Sequence, residues 1–295
     1  MKNYTLIALL IIAASLVTID KLPKRRSGDA QTVSPEFVVK GIPEHGLALI
    51  GPSNPEFDNL IASRHKDADP IVETLKPFAV LIKNTSNHAV IAYSLKWELT
   101  RADGKIATQI ETHITLWKLM GMQGSEDDGD IIGANSFAFA TASRLSFPRP
   151  EAIKGNDPEL AALANNAKME LMNYKEISVT IDGAFFDDGT YVGVDSTGFF
   201  SKVETLVNAK RDLYVDLSEA LKHGNPPSLV LNRLDEVAKA PITQSSPSDR
   251  DELYRKYKKD AAAELLKMRM SSGDNTVIEF VSTILNKKGL QLRKL

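Results

Sequence analysis

Residues 77–105 read PFAVLIKNTSNHAVIAYSLKWELTRADGK, and the period of that stretch decides the fold class. Ile91, Tyr93, Leu95, Trp97 and Leu99 alternate with Ala92, Ser94, Lys96, Glu98 and Thr100. A repeat of two places the large apolar groups on one face of a half-buried strand. Ahead of it, Pro77 to Asn84 is a continuous apolar strand closed by the turn-forming TSNH of 85–88. Behind it, Arg101 to Gly104 supplies a turn whose glycine can adopt positive φ. Ile106, Ile110, Ile114 and Leu116 then resume the alternation with Thr108 and Thr112 between them. The pair is a hairpin, and the pattern puts His113 on the polar face of its second strand with Gln109 and Glu111.

Further out, Phe137, Phe139, Leu145 and Phe147 mark another alternating strand. Ile177, Val179, Ile181 and Phe185 mark one more, closed by Asp187-Asp188-Gly189 and answered by Tyr191 and Val194. Short strands with turn signals at this density predict an antiparallel sandwich over 33–200. One helix, 158–172, is inserted: Asp157-Pro158 opens it, and Leu160, Leu163, Ala164, Ala167 and Leu171 recur at helical spacing. After Gly198 the period is helical for good. Ser201 and Glu204 have capping-box spacing, Leu206, Leu213, Leu217 and Leu221 form a stripe, and Gly224, Pro226 and Pro227 stop it. A second helix runs from Ser228 to about Ala238, and residues 240–248 (APITQSSPS) are a linker. Leu253, Tyr257, Ala261 and Leu265 define a third helix; Val277, Ile278, Val281, Ile284 and Leu285 define a fourth, ending near Gly289. The expected class is α+β: an antiparallel immunoglobulin-like β-sandwich with an inserted helix, followed by a helical C-terminal region over 201–295. The stripes of the last two helices require a cover. The sandwich is the expected receiver, with a partner protein or a second copy as the alternative.

At fold level, the 77–105 stretch resembles paired strands of the immunoglobulin-like or fibronectin-like sandwiches in exported bacterial proteins. The resemblance carries no functional residues; because such folds host many activities, it favours binding without naming a ligand.

The N-terminus addresses location. Thr5 to Ile19 (TLIALLIIAASLVTI) has no charge and suits the apolar region of a secretory signal. It is short for a membrane span, which takes about 20 residues. Lys21, Lys24, Arg25 and Arg26 argue the other way, because a basic cluster after the apolar run favours a cytoplasmic location for the chain beyond it. Residues 1–20 are therefore expected to be a signal peptide or a retained N-terminal anchor and 21–32 a spacer. The chain is expected to be periplasmic or extracellular, touching membrane only through that first segment.

Several chemistries are excluded at once. With no cysteine there is no disulfide, thiol nucleophile, thiolate zinc site or cysteine-linked lipid anchor. The 36 basic and 38 acidic residues leave a net charge of -2, too balanced for a dedicated nucleic-acid binder. His45, His65 and His88 lie in turns and His223 in a last helical turn, none with a partner nearby in sequence, so no metal site or cofactor is expected. No nucleophile elbow or phosphate-cradling glycine loop occurs.

Two acidic groups remain. Asp182, Asp187, Asp188 and Asp195 share one hairpin, where Asp-Gly suits a tight turn and a carboxylate pair suits an ion or acid–base chemistry. Trp117, Met120 and Met122 precede the run holding Glu126, Asp127, Asp128 and Asp130. Aromatic and thioether groups beside charge make these seven residues a candidate interaction surface; the competing reading buries Trp117 in the sandwich. Arg255, Lys256, Lys258 and Lys259, interspersed with Asp249, Asp251, Glu252, Asp260 and Glu264, read as a solvated helix face with internal ion pairs. Lys287, Lys288, Arg293 and Lys294 read as a frayed tail. The functional expectation is a non-catalytic binding or interaction protein of the cell envelope, its partner a protein or envelope component. The alternative is a hydrolase of an extracellular glycan or peptide using Asp187, Asp188 and Asp195.

Overall fold

The computed structural model describes residues 35–64, 70–122, 131–143, 158–241 and 250–295. The signal or anchor, the spacer, most of the 240–248 linker, His65, Leu145, Phe147, Glu126, Asp127, Asp128 and Asp130 lie outside the described residues. The protein is mixed α+β, about 48% helix and 28% strand, with sheets that do not close. It divides into two compact units. The first comprises Met1–Thr115, Glu126–Asp187 and Tyr191–Thr197; the second comprises Leu116–Ser125, Asp188–Thr190 and Gly198–Leu295.

The first unit is built on β1 (Glu36–Lys40), β2 (Leu47–Ile50), α1 (Pro55–Arg64), α2 (Pro70–Leu75), β3 (Ala79–Asn84), β4 (Val90–Arg101), β5 (Ile106–Ile114), β6 (Ser136–Thr141), α4 (Pro158–Leu171), β7 (Tyr174–Phe186) and the Tyr191–Val192 part of β8 (Thr190–Val192); α3 (Leu116–Leu119) belongs to the second. One sheet runs β5-β4-β7-β8 and the other β2-β3-β6. Pairing is antiparallel throughout both, except that β1 lies parallel to β7, an exception to the all-antiparallel expectation. Val80, Ile82, Ala138 and Ala140 of the three-stranded sheet share one core with Tyr93, Leu95, Trp97, Leu99, Ile177, Val179 and Ile181 of the other. The opposite face of the three-stranded sheet, carrying Leu81 and Phe139, packs on Phe57 and Ile61 of α1, Ile71, Val72 and Leu75 of α2 and Ala164 of α4. Burial on both faces accounts for the continuous apolar run of β3. The sequence reading has no helix at α1 or α2, although the signal is there: the Asn54 side chain caps the Glu56 N–H at 2.9 Å, and Phe57, Leu60 and Ile61 recur at helical spacing.

β5 corrects one expectation. Tyr93 pairs with His113, Leu95 with Glu111 and Trp97 with Gln109, and residues directly opposite across a ladder share a face. His113, Glu111 and Gln109 therefore point toward the core side, while Ile106 is 62% and Ile110 39% exposed. Register in a hairpin is set by the turn, and a slip of one residue exchanges the two faces of a strand. Here the turn closes with Arg101 N–H donating to Lys105 and Gly104 at φ 83°, which fixes β5 opposite to its own alternation.

The second unit holds α3, α5 (Phe199–Lys222), α6 (Pro227–Lys239), α7 (Arg250–Ser272) and α8 (Asp274–Leu285). α5 starts from Gly198 at φ 67° with no side-chain cap, so Ser201 and Glu204 fall inside the helix and form no capping box. Leu213, Tyr214, Leu217, Val230, Leu231, Leu234, Ala261, Leu265, Val277, Val281 and Ile284 form one core. The helical stripes thus cover one another, and their receiver is the helical unit itself. Two cations of α7 pair across to α5: Arg250 with Glu204 at 2.7 Å and Lys258 with Asp216 at 2.8 Å. The basic tail is tied down as well. Leu290 N–H donates to the Leu119 carbonyl at 3.2 Å, and Arg293 reaches Asp188 at 2.8 Å and the Thr190 hydroxyl at 2.9 Å. Among the described residues no helix is long and apolar enough to cross a membrane.

Candidate functional site

The most organised polar surface lies where several loops of the first unit meet around Asn84, at the end of β3. This side chain is 1% exposed. Its amide donates to the carbonyls of His88 at 2.8 Å and Gly133 at 3.0 Å, and its oxygen accepts from Ser86 N–H at 3.0 Å and the Ser86 hydroxyl at 2.7 Å. The Thr85 N–H donates to Gly46 at 2.8 Å and Asn135 N–H to Ser86 at 3.3 Å. One buried amide thereby joins the turn after β3 to the segment before β6, while backbone bonds attach the 43–46 turn. Buried polar groups that are fully paired rigidify what they join.

At the rim of this cluster His88 Nδ1 lies 2.9 Å from Asp187 Oδ1, with side-chain exposures of 55% and 42%. Asp187 N–H donates to the Ala89 carbonyl at 2.9 Å, so the carboxylate is positioned by the backbone of the same turn. With Nδ1 engaged, Nε2 is the ring nitrogen left for a further partner. Thr85, Asn87 and Asn135 are exposed beside it, Asn135 in the left-handed region at φ 51°. This is a surface of hydrogen-bonding groups on a rigid base, suited to recognising a polar ligand. The sequence contained both halves of the His88–Asp187 pair, one as a turn histidine and one as a hairpin aspartate. Their separation of 99 positions gave no local signal.

The four aspartates of the 182–195 hairpin are engaged separately. Asp182 is 2% exposed and accepts four hydrogen bonds, from the Ser196 N–H and hydroxyl at 2.7 and 2.6 Å and from those of Thr197 at 3.0 and 2.5 Å. Burial pushes its carboxyl up, but the Ser196 and Thr197 donors outweigh burial and hold it below the usual carboxylate range. Asp188 accepts from Thr190 and Arg293, and Asp195 from the Tyr191 hydroxyl at 3.1 Å. Burial, then Asp195, pushes the Tyr191 hydroxyl far above its usual value. No group of three metal-ligating side chains occurs among the described residues.

A second polar cluster sits on the core side of β4 and β5. Glu111 accepts from the Trp97 indole at 2.9 Å and meets His113 Nε2 at 2.8 Å, while the rings of Tyr93 and His113 lie 4.7 Å apart. Burial, then Glu111, raises the Tyr93 hydroxyl well above its usual value. The inverted face of β5 is the reason these groups were missed in the sequence.

The proposed aromatic and thioether surface has another position. Met120 is 1% exposed in the helical core, where Trp117 and Met122 also pack, and the Trp117 ring stands edge-on to Phe280 at 5.5 Å. Trp117 is thus engaged by the helical core, and not by the core of the first unit. Compared with protein-family models, curated proteins and solved structures, the chain matches none.

Proposed function

We propose that this chain is a non-catalytic binding protein of the cell envelope that presents the Asn84-anchored loop surface to a partner. The observation that carries the reading is the cluster itself: a buried amide with four hydrogen bonds holds exposed Thr85, Asn87, His88, Asn135 and Asp187 on a fixed base. Pre-organisation of this kind lowers the ordering cost of binding. In this reading the two-sheet core serves as the frame that an immunoglobulin-like module provides, and the segment at Thr5–Ile19 delivers the chain across a membrane, leaving it periplasmic, extracellular or tethered. A pull-down from native envelope with wild type and with the His88→Ala/Asn135→Ala pair tests the binding role. The expected result is a captured partner lost in the double variant at unchanged melting temperature; equal capture by both removes this surface from the proposal. A reporter fused to residues 1–35 that stays in the cytosol refutes the delivery step.

The hydrolase reading keeps one supporting observation. A histidine oriented through Nδ1 by a carboxylate has the arrangement of a general base. Of the three aspartates it invokes, Asp187 alone is paired with a histidine; Asp188 and Asp195 are engaged by Arg293 and Tyr191. Turnover of a glycan or peptide that disappears in Asp187→Asn but persists in Asp188→Asn and Asp195→Asn would favour hydrolysis over binding.

A further inference from the structure

β5 is the outermost strand of its sheet: it pairs with β4 on one side and with no strand on the other among the described residues. The ladder decides which backbone groups face that open edge. Arg101 N–H donates to the Lys105 carbonyl and Thr115 N–H to the Ile91 carbonyl, so the directly bonded pairs fall at the odd-numbered residues of β5. The N–H and C=O groups of Thr108, Ile110 and Thr112 therefore point away from β4, where they meet no partner among the described residues. Their side chains share the outer face with Ile106 and Ile114, and Ile106 is 62% and Ile110 39% exposed. Open edges are ordinarily blunted by lysine, proline or a bulge. Residues 106–114 contain neither lysine nor proline, and β5 follows β4 without a register shift, whereas β4 meets β7 with three.

That outer face runs Ile106, Thr108, Ile110, Thr112, Ile114, the same in both directions about Ile110. We propose that the open edge of β5 docks a second copy of this chain, the two β5 strands pairing antiparallel about a twofold axis at Ile110. In a twofold interface residue i meets j and j meets i, so a strand that reads alike from both ends is complementary to itself. Ile110 meets Ile110, Thr108 meets Thr112 and Ile106 meets Ile114, pairs of β-branched side chains suited to directly opposed positions. On the other face Gln109 meets Glu111 and Ala107 meets His113, so no like charges are opposed. The backbone fits the same register. Centring on Ile110 sets the outward-pointing even residues of one copy against those of the other, and the pairs at 108, 110 and 112 supply about six hydrogen bonds. A centre at Glu111 opposes that carboxylate to its own copy, and a centre at Gln109 sets isoleucine against threonine. The twofold symmetry of the sequence selects a second copy over an unrelated extended peptide, for which it would serve no purpose.

The test uses the full chain and follows its mass by sedimentation equilibrium across a dilution series. Wild type is expected to be a dimer that dissociates on dilution. Ile110→Lys opposes two ammonium groups on the axis and is expected to weaken the dimer by about tenfold or more, with the melting temperature of the dilute monomer unchanged. Because the chain has no cysteine, a single introduced one reports the register. In Ile110→Cys the two introduced residues lie about 5.5 Å apart between Cα atoms, and a short bis-thiol reagent is expected to join them. In Thr108→Cys they lie about 14 Å apart, four residues along the strand, so that variant should not join to itself but should join to Thr112→Cys when the two are mixed. Should Ile110→Lys melt lower, the cysteine variants decide. A wild type that stays monomeric at about 0.1 mM, or that forms species larger than dimers, overturns the proposal. A dimer that survives Ile110→Lys uses another surface and overturns it too, and a Thr108→Cys variant that joins to itself as readily as Ile110→Cys refutes the register.

Discussion

Asn84→Ala removes the amide on which the loop surface stands. Its four hydrogen bonds of 3.0 Å or less disappear, two donated to backbone carbonyls of His88 and Gly133 and two accepted from Ser86, together with a longer one of 3.5 Å to the Ile132 carbonyl. The Ser86 hydroxyl already reaches the His88 carbonyl at 2.8 Å and keeps that partner. The remaining losses, at about 1 kcal/mol each, sum to a destabilisation of about 2–3 kcal/mol. With a urea slope of about 2 kcal/mol per molar, the midpoint should fall by about 1–1.5 M. The molecule offers a clean reporter, since Trp97 is buried in the first unit and Trp117 packs in the second. In a Trp117→Phe background, indole fluorescence follows the first unit alone. A midpoint shift below about 0.3 M would mean that water replaces the amide without cost, and the loop surface would then lack its rigid base.

The other predictions concern separate features. Gly183→Ala drives a Cβ into the buried Tyr191 hydroxyl, well inside van der Waals contact, so thermal unfolding should show a loss of about 1–3 kcal/mol; an unchanged melting temperature would refute the close approach. Asp182 has a carboxyl held low in the fold, so its contribution is present above its unfolded value and is lost as pH falls through the folded one. Asp182→Asn should therefore melt lower than wild type at pH 7, with the gap closing as pH falls below the ordinary carboxylate range, and a gap independent of pH would contradict the charge argument. Ile110→Lys on the outer face of β5 should change stability by less than about 0.5 kcal/mol, whereas the same change at Leu99 should unfold the first unit; a large loss at Ile110 in urea melts would restore the alternation read from sequence.

β4 and the C-terminal helices were legible because their periodicity is long and their faces are satisfied locally: Tyr93 to Leu99 alternates on one face, and Leu213, Leu217, Val277 and Val281 all reach one core. β5 was misread because four isoleucine and leucine positions suggest a buried face, while the face is imposed by the turn and by the neighbour to which the strand pairs. The Asn84 cluster and the His88–Asp187 pair had no signature at all. Both depend on contacts between residues 48 to 99 positions apart, and an asparagine in a turn looks the same whether it caps one loop or anchors several.

The division of the chain also bears on how the protein is made. The core of the helical unit includes Trp117, Met120 and Met122, which leave the ribosome after β5 and before β6, long ahead of α5 to α8. A nascent chain ending near residue 198 thus carries apolar groups whose shelter has not yet been synthesised, a period in which chaperone capture or aggregation is favoured. Cutting the gene at 198 reproduces that state permanently, and separate expression of the 199–295 segment leaves a bundle lacking Met120 from its interior. The two units are distinct in their internal contacts, but no single cut of the chain releases either one whole.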